Sequence, residues 1–185
     1  MRKAKAMTTV RGVILDVDGT LVDSNDAHAH AWVEALAEYG HQVPFEEVRR
    51  LIGMGGDKLL PKVAGIKKAS QQGQAIDHRR GEIFKTRYLP AVRPFPQVRP
   101  LLQRMRDQGW QIVAIELAED AIALPRLQPA RQPTVVLLGH EHNGVPADLV
   151  ELADQCVEIP MCGVGSSLNV AVAGSLVLYR LAGMS

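Results

Sequence analysis

No apolar run reaches the length of about 18 residues that a bilayer-spanning helix requires, and the longest apolar stretch, Leu168 to Leu181, is interrupted by Asn169, Gly174, Ser175 and Arg180. No membrane association is expected. Met1-Arg2-Lys3-Ala4-Lys5-Ala6-Met7 is basic but runs into a strand-like segment without the apolar core and cleavage site of a secretory leader, so cytoplasm is the expected compartment. Cysteine is scarce: Cys156 and Cys162 stand six positions apart, matching neither a CxxC redox pair nor a zinc spacing, and two reduced thiols are expected. Net charge is nearly absent, at +1, although residues 1–97 carry 15 Lys+Arg against 11 Asp+Glu and residues 98–185 carry 6 against 9, with no lysine beyond Lys85. Neither half is basic enough to imply nucleic-acid binding from electrostatics alone. Internal repeats and low-complexity tracts are also missing.

What is present is a globular composition, 46% hydrophobic and 22% charged over 185 residues, enough chain to bury a sizeable core. The run Gly12-Val13-Ile14-Leu15 predicts a buried strand that ends abruptly in Asp16-Val17-Asp18-Gly19-Thr20. Asp26 is placed to cap a helix whose apolar residues Ala27, Ala31, Trp32, Ala35 and Leu36 recur at helical spacing and stop at Gly40. Residues 44–93 read as a small helical insertion, with Arg49-Arg50, Lys67-Lys68 and Arg79-Arg80 on solvated faces. Pro94-Phe95-Pro96 marks a hinge, then Val98, Leu101, Leu102 and Met105 form one helix face before Gly109 and the strand Ile112–Ile115. Residues 118–133 contain Pro125, Pro129 and Pro133 and cannot hold a long helix. Strands at Val135–Leu138 and Val157–Ile159, a helix at Ala147–Ala153 and a last helix at Leu168–Leu181 complete the pattern. The last helix is apolar on nearly every face, which places it in a core or an interface. Strands alternating with helices imply an α/β fold with a mainly parallel, Rossmann-like sheet, whose ligands sit at the carboxyl ends of the strands.

Asp16 and Asp18 bring two carboxylates to one strand end, where one can attack phosphorus, its neighbour can protonate the leaving oxygen, and Mg²⁺ can hold both. A polar loop with turn-forming aspartates is the plainer alternative. The string Asp16-Val17-Asp18-Gly19-Thr20-Leu21-Val22-Asp23-Ser24, the helices after it and Pro94-Phe95-Pro96-Gln97-Val98-Arg99-Pro100-Leu101-Leu102 resemble the front half of haloacid dehalogenase-like phosphohydrolases of the phosphoglycolate-phosphatase branch, over residues 10–113. That resemblance implies Asp16 as nucleophile and metal ligand, Asp18 as general acid/base and metal ligand, Thr20 as a supporting turn residue and residues 21–93 as a helical cap.

Leu138-Gly139-His140-Glu141-His142-Asn143-Gly144-Val145-Pro146, then Val157-Glu158-Ile159-Pro160-Met161, then Ser166-Ser167-Leu168-Asn169-Val170-Ala171-Val172-Ala173 resemble the last two motifs of SpoU (TrmH-like) RNA ribose 2′-O-methyltransferases of the SPOUT class. The resemblance spans residues 98–183 and implies binding of S-adenosylmethionine (SAM), an RNA substrate, a homodimer formed through the C-terminal half and a trefoil knot around the last helix. Leu138, Gly139, Gly144, Ile159, Met161, Gly163, Ser167 and Leu168 are then the cofactor-binding positions, and Glu141, Ser167 and Asn169 its polar catalytic positions. Glycines let backbone approach a ligand, while Ile159, Met161 and Leu168 can wall an adenine slot. The chain thus reads as residues 1–20 and 21–93 of one family, a shared helix and strand over 94–113, and a SpoU-like half-domain over 114–185. A SAM-binding module, a Mg²⁺-dependent phosphohydrolase and an inactive scaffold are the three functions this organisation allows.

Overall fold

The computed structural model describes residues 11–118, 120–139, 144–161 and 168–184. The chain divides into two compact units, one of Val22–Arg93 and one that combines Met1–Leu21 with Pro94–Ser185.

The first unit is helical: α1 (Asn25–Glu38), α2 (Phe45–Arg49), α3 (Gly56–Ala64) and α4 (Gln71–Ile83), followed by a π-helical turn at Phe84–Tyr88. The α1 face Ala29, Trp32, Ala35 and Leu36 closes over Val48, Leu59, Leu60, Ile76, Ile83 and Phe84, all buried. Asp26 does not cap α1. The N-cap is Ser24, two residues earlier, which puts Asp26 in the first turn, where its charge suits the helix N-terminus and pairs with Arg49. At the other end Gly40 takes a left-handed φ of 85°, and the amides of Gly40 and His41 bond back to Ala37 O at 3.0 Å and Leu36 O at 2.9 Å. That pairing is a Schellman stop, which glycine permits without strain.

At least one member of each basic pair in this unit meets a carboxylate. Arg79 grips Glu38 through two bonds of 2.6 and 2.9 Å and also reaches Glu82 at 3.1 Å, while Lys68 and Arg80 share Asp77 at 3.0 and 3.2 Å. Arg80 departs from the expected solvated face: its side chain is only 15% exposed and its guanidinium lies over the Trp32 ring at 5.0 Å.

The second unit is a parallel α/β layer built from β1 (Gly12–Asp16), α5 (Val98–Asp107), β2 (Gln111–Ile115), β3 (Ile122–Ala123), β4 (Thr134–Leu138), α6 (Ala147–Val150), β5 (Gln155–Glu158) and α7 (Val170–Leu181). The strands lie in the order β1-β4-β2-β5-β3, and each neighbouring pair is parallel. Every residue of β4 is buried, as its unbroken apolar run requires of a central strand.

Several expectations need correction here. Among the described residues β1 is an edge strand that pairs with β4 alone, so Gly12, Ile14 and Asp16 are exposed and the strand is not buried. Among the described residues the sheet has five strands instead of four, because Ile122–Ala123 pairs with β5 before Pro125 turns the chain; two residues carry no periodicity to read. Leu101 is exposed, and α5 buries Val98 and Leu102. The last helix starts at Val170 and buries only the stripe Gly174, Val177 and Leu181, leaving Val172, Leu176, Leu178 and Tyr179 exposed.

Candidate functional site

The strand register lines up the carboxyl edge of the sheet. Asp16 pairs with Leu138, Leu138 with Ile115, Ile115 with Val157, and Val157 with Ile122. The residues one step further along, Val17, Gly139, Glu116 and Glu158, therefore occupy the edge where an α/β sheet receives its ligand. The acidic string after β1 and the glycine-bearing loop after β4 meet there as direct neighbours.

On the β1 side, the Val17 amide donates to Leu138 O at 3.2 Å and to Asp16 Oδ1 at 2.8 Å, so the backbone leaves the strand still bonded to β4. Gly19 turns the chain at φ 66°, with the amides of Thr20 and Leu21 returning to Val17 O at 3.3 and 2.9 Å. Asp16 is exposed at the level of the whole residue, yet desolvation of its carboxyl raises the pKa above the usual carboxylate range; the Val17 amide opposes this rise and the Asp18 charge adds to it. Asp18 is half-buried.

At the centre of the edge, Glu116 directly follows β2. Its Oε1 accepts the Leu117 amide at 2.9 Å, its Oε2 accepts the Val145 amide, and its own amide donates to Val157 O at 3.1 Å. Gly144 adopts a left-handed φ of 65°, and a Cβ there would overlap the Glu116 carboxylate. A Cβ on Gly139 would overlap the Gly144 carbonyl carbon and stand 2.7 Å from the Val145 nitrogen. Close backbone approach thus requires glycine at 139, and the left-handed φ beside the Glu116 side chain favours it at 144.

Beyond β5, Ile159 packs half-buried against the cluster of Val113, Leu127, Val136, Leu138, Val157, Val177 and Leu181. Met161 is exposed, Leu168 half-buried and Asn169 exposed. The Asn169 side chain accepts the Ala171 amide at 3.0 Å and so caps α7. Gly174 of α7 faces Leu138, whose Cδ1 would lie 2.9 Å from an added Cβ. The C-terminal turn of α7 is tied down by Arg180, which donates to Leu127 O at 2.7 Å and Pro125 O at 2.6 Å. Burial, with the charges of Asp120 and Glu116, pushes the Cys156 thiol on β5 up.

The structure therefore gathers Asp16, Asp18, Leu138, Gly139 and Gly144 at one edge, while Glu141, Gly163 and Ser167, with His140, His142 and Cys162, lie outside the described residues. Among the described residues no three His, Cys, Asp or Glu side chains come together in a metal-holding group. Two carboxylates such as Asp16 and Asp18 are the donor type Mg²⁺ takes from protein, alongside water and phosphate oxygens. Glu116 was not marked by sequence as a site residue. Its only signal is that it is, like Asp16, a carboxylate placed directly after an apolar strand.

The model of the SpoU rRNA Methylase family matches residues 63–179, beginning well before the quoted motifs. The chain belongs to the SpoU rRNA methylase family. It is 41% identical over 76 residues to the tRNA (guanosine(18)-2′-O)-methyltransferase of Escherichia coli (strain K12), an alignment covering 41% of this chain and 33% of that protein. It is also 29% identical over 87 residues to the fructose-1-phosphate phosphatase YqaB of the same strain, covering 47% of this chain and 46% of the phosphatase. Among solved structures, a candidate phosphatase from Clostridium difficile aligns at TM-score 0.64 and 12% identity over 93% of this chain and 70% of that one, a likeness of fold alone. The chain spans about a third of the length of the curated methyltransferase and under half of the phosphatase. Likeness to SpoU methylases and to haloacid dehalogenase-like phosphatases thus coexists in one polypeptide.

Proposed function

We propose that the β-sheet unit binds SAM at the carboxyl edge of β4, β2 and β5 and is the cofactor half of an RNA ribose 2′-O-methyltransferase. The observation that carries this reading is the closed approach of Gly139 to Gly144 directly after a buried strand. It sets two glycines against each other beside Leu138, and the apolar Ile159, Met161 and Leu168 follow β5, on the far side of β2. An adenosyl group needs this combination of apolar wall and backbone polar groups. The site residues on this reading are Leu138, Gly139, Gly144, Ile159, Met161, Gly163, Ser167 and Leu168 for the cofactor, with Glu141, Ser167 and Asn169 as polar positions. When bound, SAM supplies an electrophilic methyl group.

The family's first motif, whose arginine acts on the ribose hydroxyl, has no counterpart in this sequence; Arg126 and Arg131 do not match it. The chain on its own is therefore a cofactor binder with weak or absent methyl transfer. A cytoplasmic homodimer paired through its C-terminal half belongs to the same reading, supported by the exposed apolar residues Val172, Leu176 and Tyr179 on α7; among the described residues no helix is long and apolar enough to cross a membrane. A knotted path around α7 belongs to it as well. The test is equilibrium binding of S-adenosylhomocysteine to the chain and to the double variant Leu168→Asp, Asn169→Ala. Lost binding in the variant supports the site, and unchanged binding removes it.

A second reading, a Mg²⁺-dependent phosphohydrolase with Asp16 as nucleophile and Asp18 as general acid/base, is favoured by one observation. Both carboxylates follow β1 at the sheet edge, with Asp16 held above the usual carboxylate range by desolvation first. Against it stand the Glu116 carboxylate at the same edge and the lack of any lysine beyond Lys85, since a phosphate dianion needs cations beside it. If hydrolysis of an aryl phosphate is unaffected by Asp16→Asn, this reading fails. Failure of both ligand tests leaves an inactive scaffold.

A further inference from the structure

We propose that Glu116 is the positioning residue of the adenosyl site, fixing Gly139, Gly144 and Val145 in place before the ligand arrives. The inference rests on the cofactor reading above. β2 lies between β4 and β5 in the sheet, so the first residue beyond it stands between the chain leaving β4 and the chain leaving β5. The Glu116 backbone stays in register with β5 through Val157 O, and its carboxylate reaches across to the amide of Val145, where the loop returns. Val145 is buried, so its amide needs an acceptor from the protein, and this carboxylate is that acceptor. The second oxygen takes Leu117 N at 2.9 Å, which fixes the side chain's own rotamer.

Three stretches of chain therefore meet at one point: Gly139 leaving β4, Gly144 and Val145 returning, and Glu116 leaving β2. The fit is tight. Gly144 has no room for a Cβ because the carboxylate occupies that space, and Gly139 has none because Gly144 does. A glutamine at 116 keeps the shape but offers one acceptor oxygen to two amides and turns an NH₂ toward the other. Hydrogen bonds to a charged group are the stronger kind, so the loss falls where these three stretches meet.

The experiment is calorimetric titration of S-adenosylhomocysteine into the full chain and into Glu116→Gln, well below the unfolding midpoint, with the ligand-free midpoint measured for each. The expected result is a dissociation constant raised at least about tenfold, an order of magnitude being about 1.4 kcal/mol of binding free energy. The ligand-free midpoint should move by no more than a few degrees. A fall in the midpoint with an unchanged dissociation constant makes Glu116 purely structural and overturns the proposal. A second comparison does not depend on one variant folding well: Gly144→Ala should weaken binding more in the wild-type background than in Glu116→Ala, where the space it needs has been cleared. Equal effects in the two backgrounds overturn the proposal. If the wild-type chain does not bind, the cofactor reading falls and takes this inference with it; if the wild type binds and Glu116→Gln matches it, only the inference falls.

Discussion

The Tyr88 hydroxyl donates to the Glu34 carboxylate, and desolvation, that hydrogen bond and the Glu34 charge push its pKa up to about 12. Folding raises this value above the ordinary tyrosine value of about 10. The favourable contribution is therefore complete below about pH 10 and is lost as pH rises through about 12. Urea unfolding followed through the helical signal should show stability falling across that window, and Tyr88→Phe should flatten the fall. Cys156 is the opposite case of a group made inert. Its buried thiol is pushed up, so little of the reactive thiolate forms at neutral pH. Iodoacetamide should leave Cys156 unmodified in the native chain and label it in urea, read by mass spectrometry of its peptide; rapid native labelling contradicts the burial. The Tyr88–Glu34 pairing was not legible in sequence, because the two residues are 54 positions apart and only packing unites them.

Among the elements, β1 and β4 show how far a local pattern reaches. Gly12-Val13-Ile14-Leu15-Asp16 and Thr134-Val135-Val136-Leu137-Leu138 both read as short apolar strands, and both are strands. Their places in the sheet differ: β4 sits between β1 and β2, and β1 is left at the edge. Strand order depends on which neighbours each strand finds, a non-local quantity that alternation in one segment does not encode. The difference has an energetic consequence. Leu137→Ala should cost about 2–5 kcal/mol, the range for emptying a fully buried aliphatic site, whereas Ile14→Ala, at a position 39% exposed, should cost well under that. Comparable losses in urea titrations would contradict the order. At α7 the capping role of Asn169 predicts that Asn169→Ala lowers stability by about 1 kcal/mol, separately from any effect on ligand binding. The apolar residues of α7 promised burial all round, yet the helix fully buries only Gly174, Val177 and Leu181, with Val170 partly buried against the same core, because a helix packed on one layer covers one face.

At the scale of the whole molecule, motifs of the SpoU family and a string that resembles another family occupy one chain, and the sheet brings their strand ends side by side. The motif strings were legible because each is local: an apolar strand followed by Asp-x-Asp-Gly-Thr, or by Gly and a second Gly five residues later. The helical character of Val22–Arg93 was equally plain from its spacing and glycine punctuation. The role of Glu116 was not, since it arises only when β2 is placed between β4 and β5 and its carboxylate meets a returning loop. On the proposed function this edge holds an adenosyl ligand. Thermal unfolding with and without S-adenosylhomocysteine tests it most directly, because a ligand that binds only the folded chain raises the midpoint by mass action. At a hundredfold excess over the dissociation constant the gain is about 2.7 kcal/mol, or on the order of 5–10 °C for a chain of this size. A cooperative transition shifted upward by that amount is the predicted result, and a cooperative transition that saturating ligand leaves in place contradicts the claim.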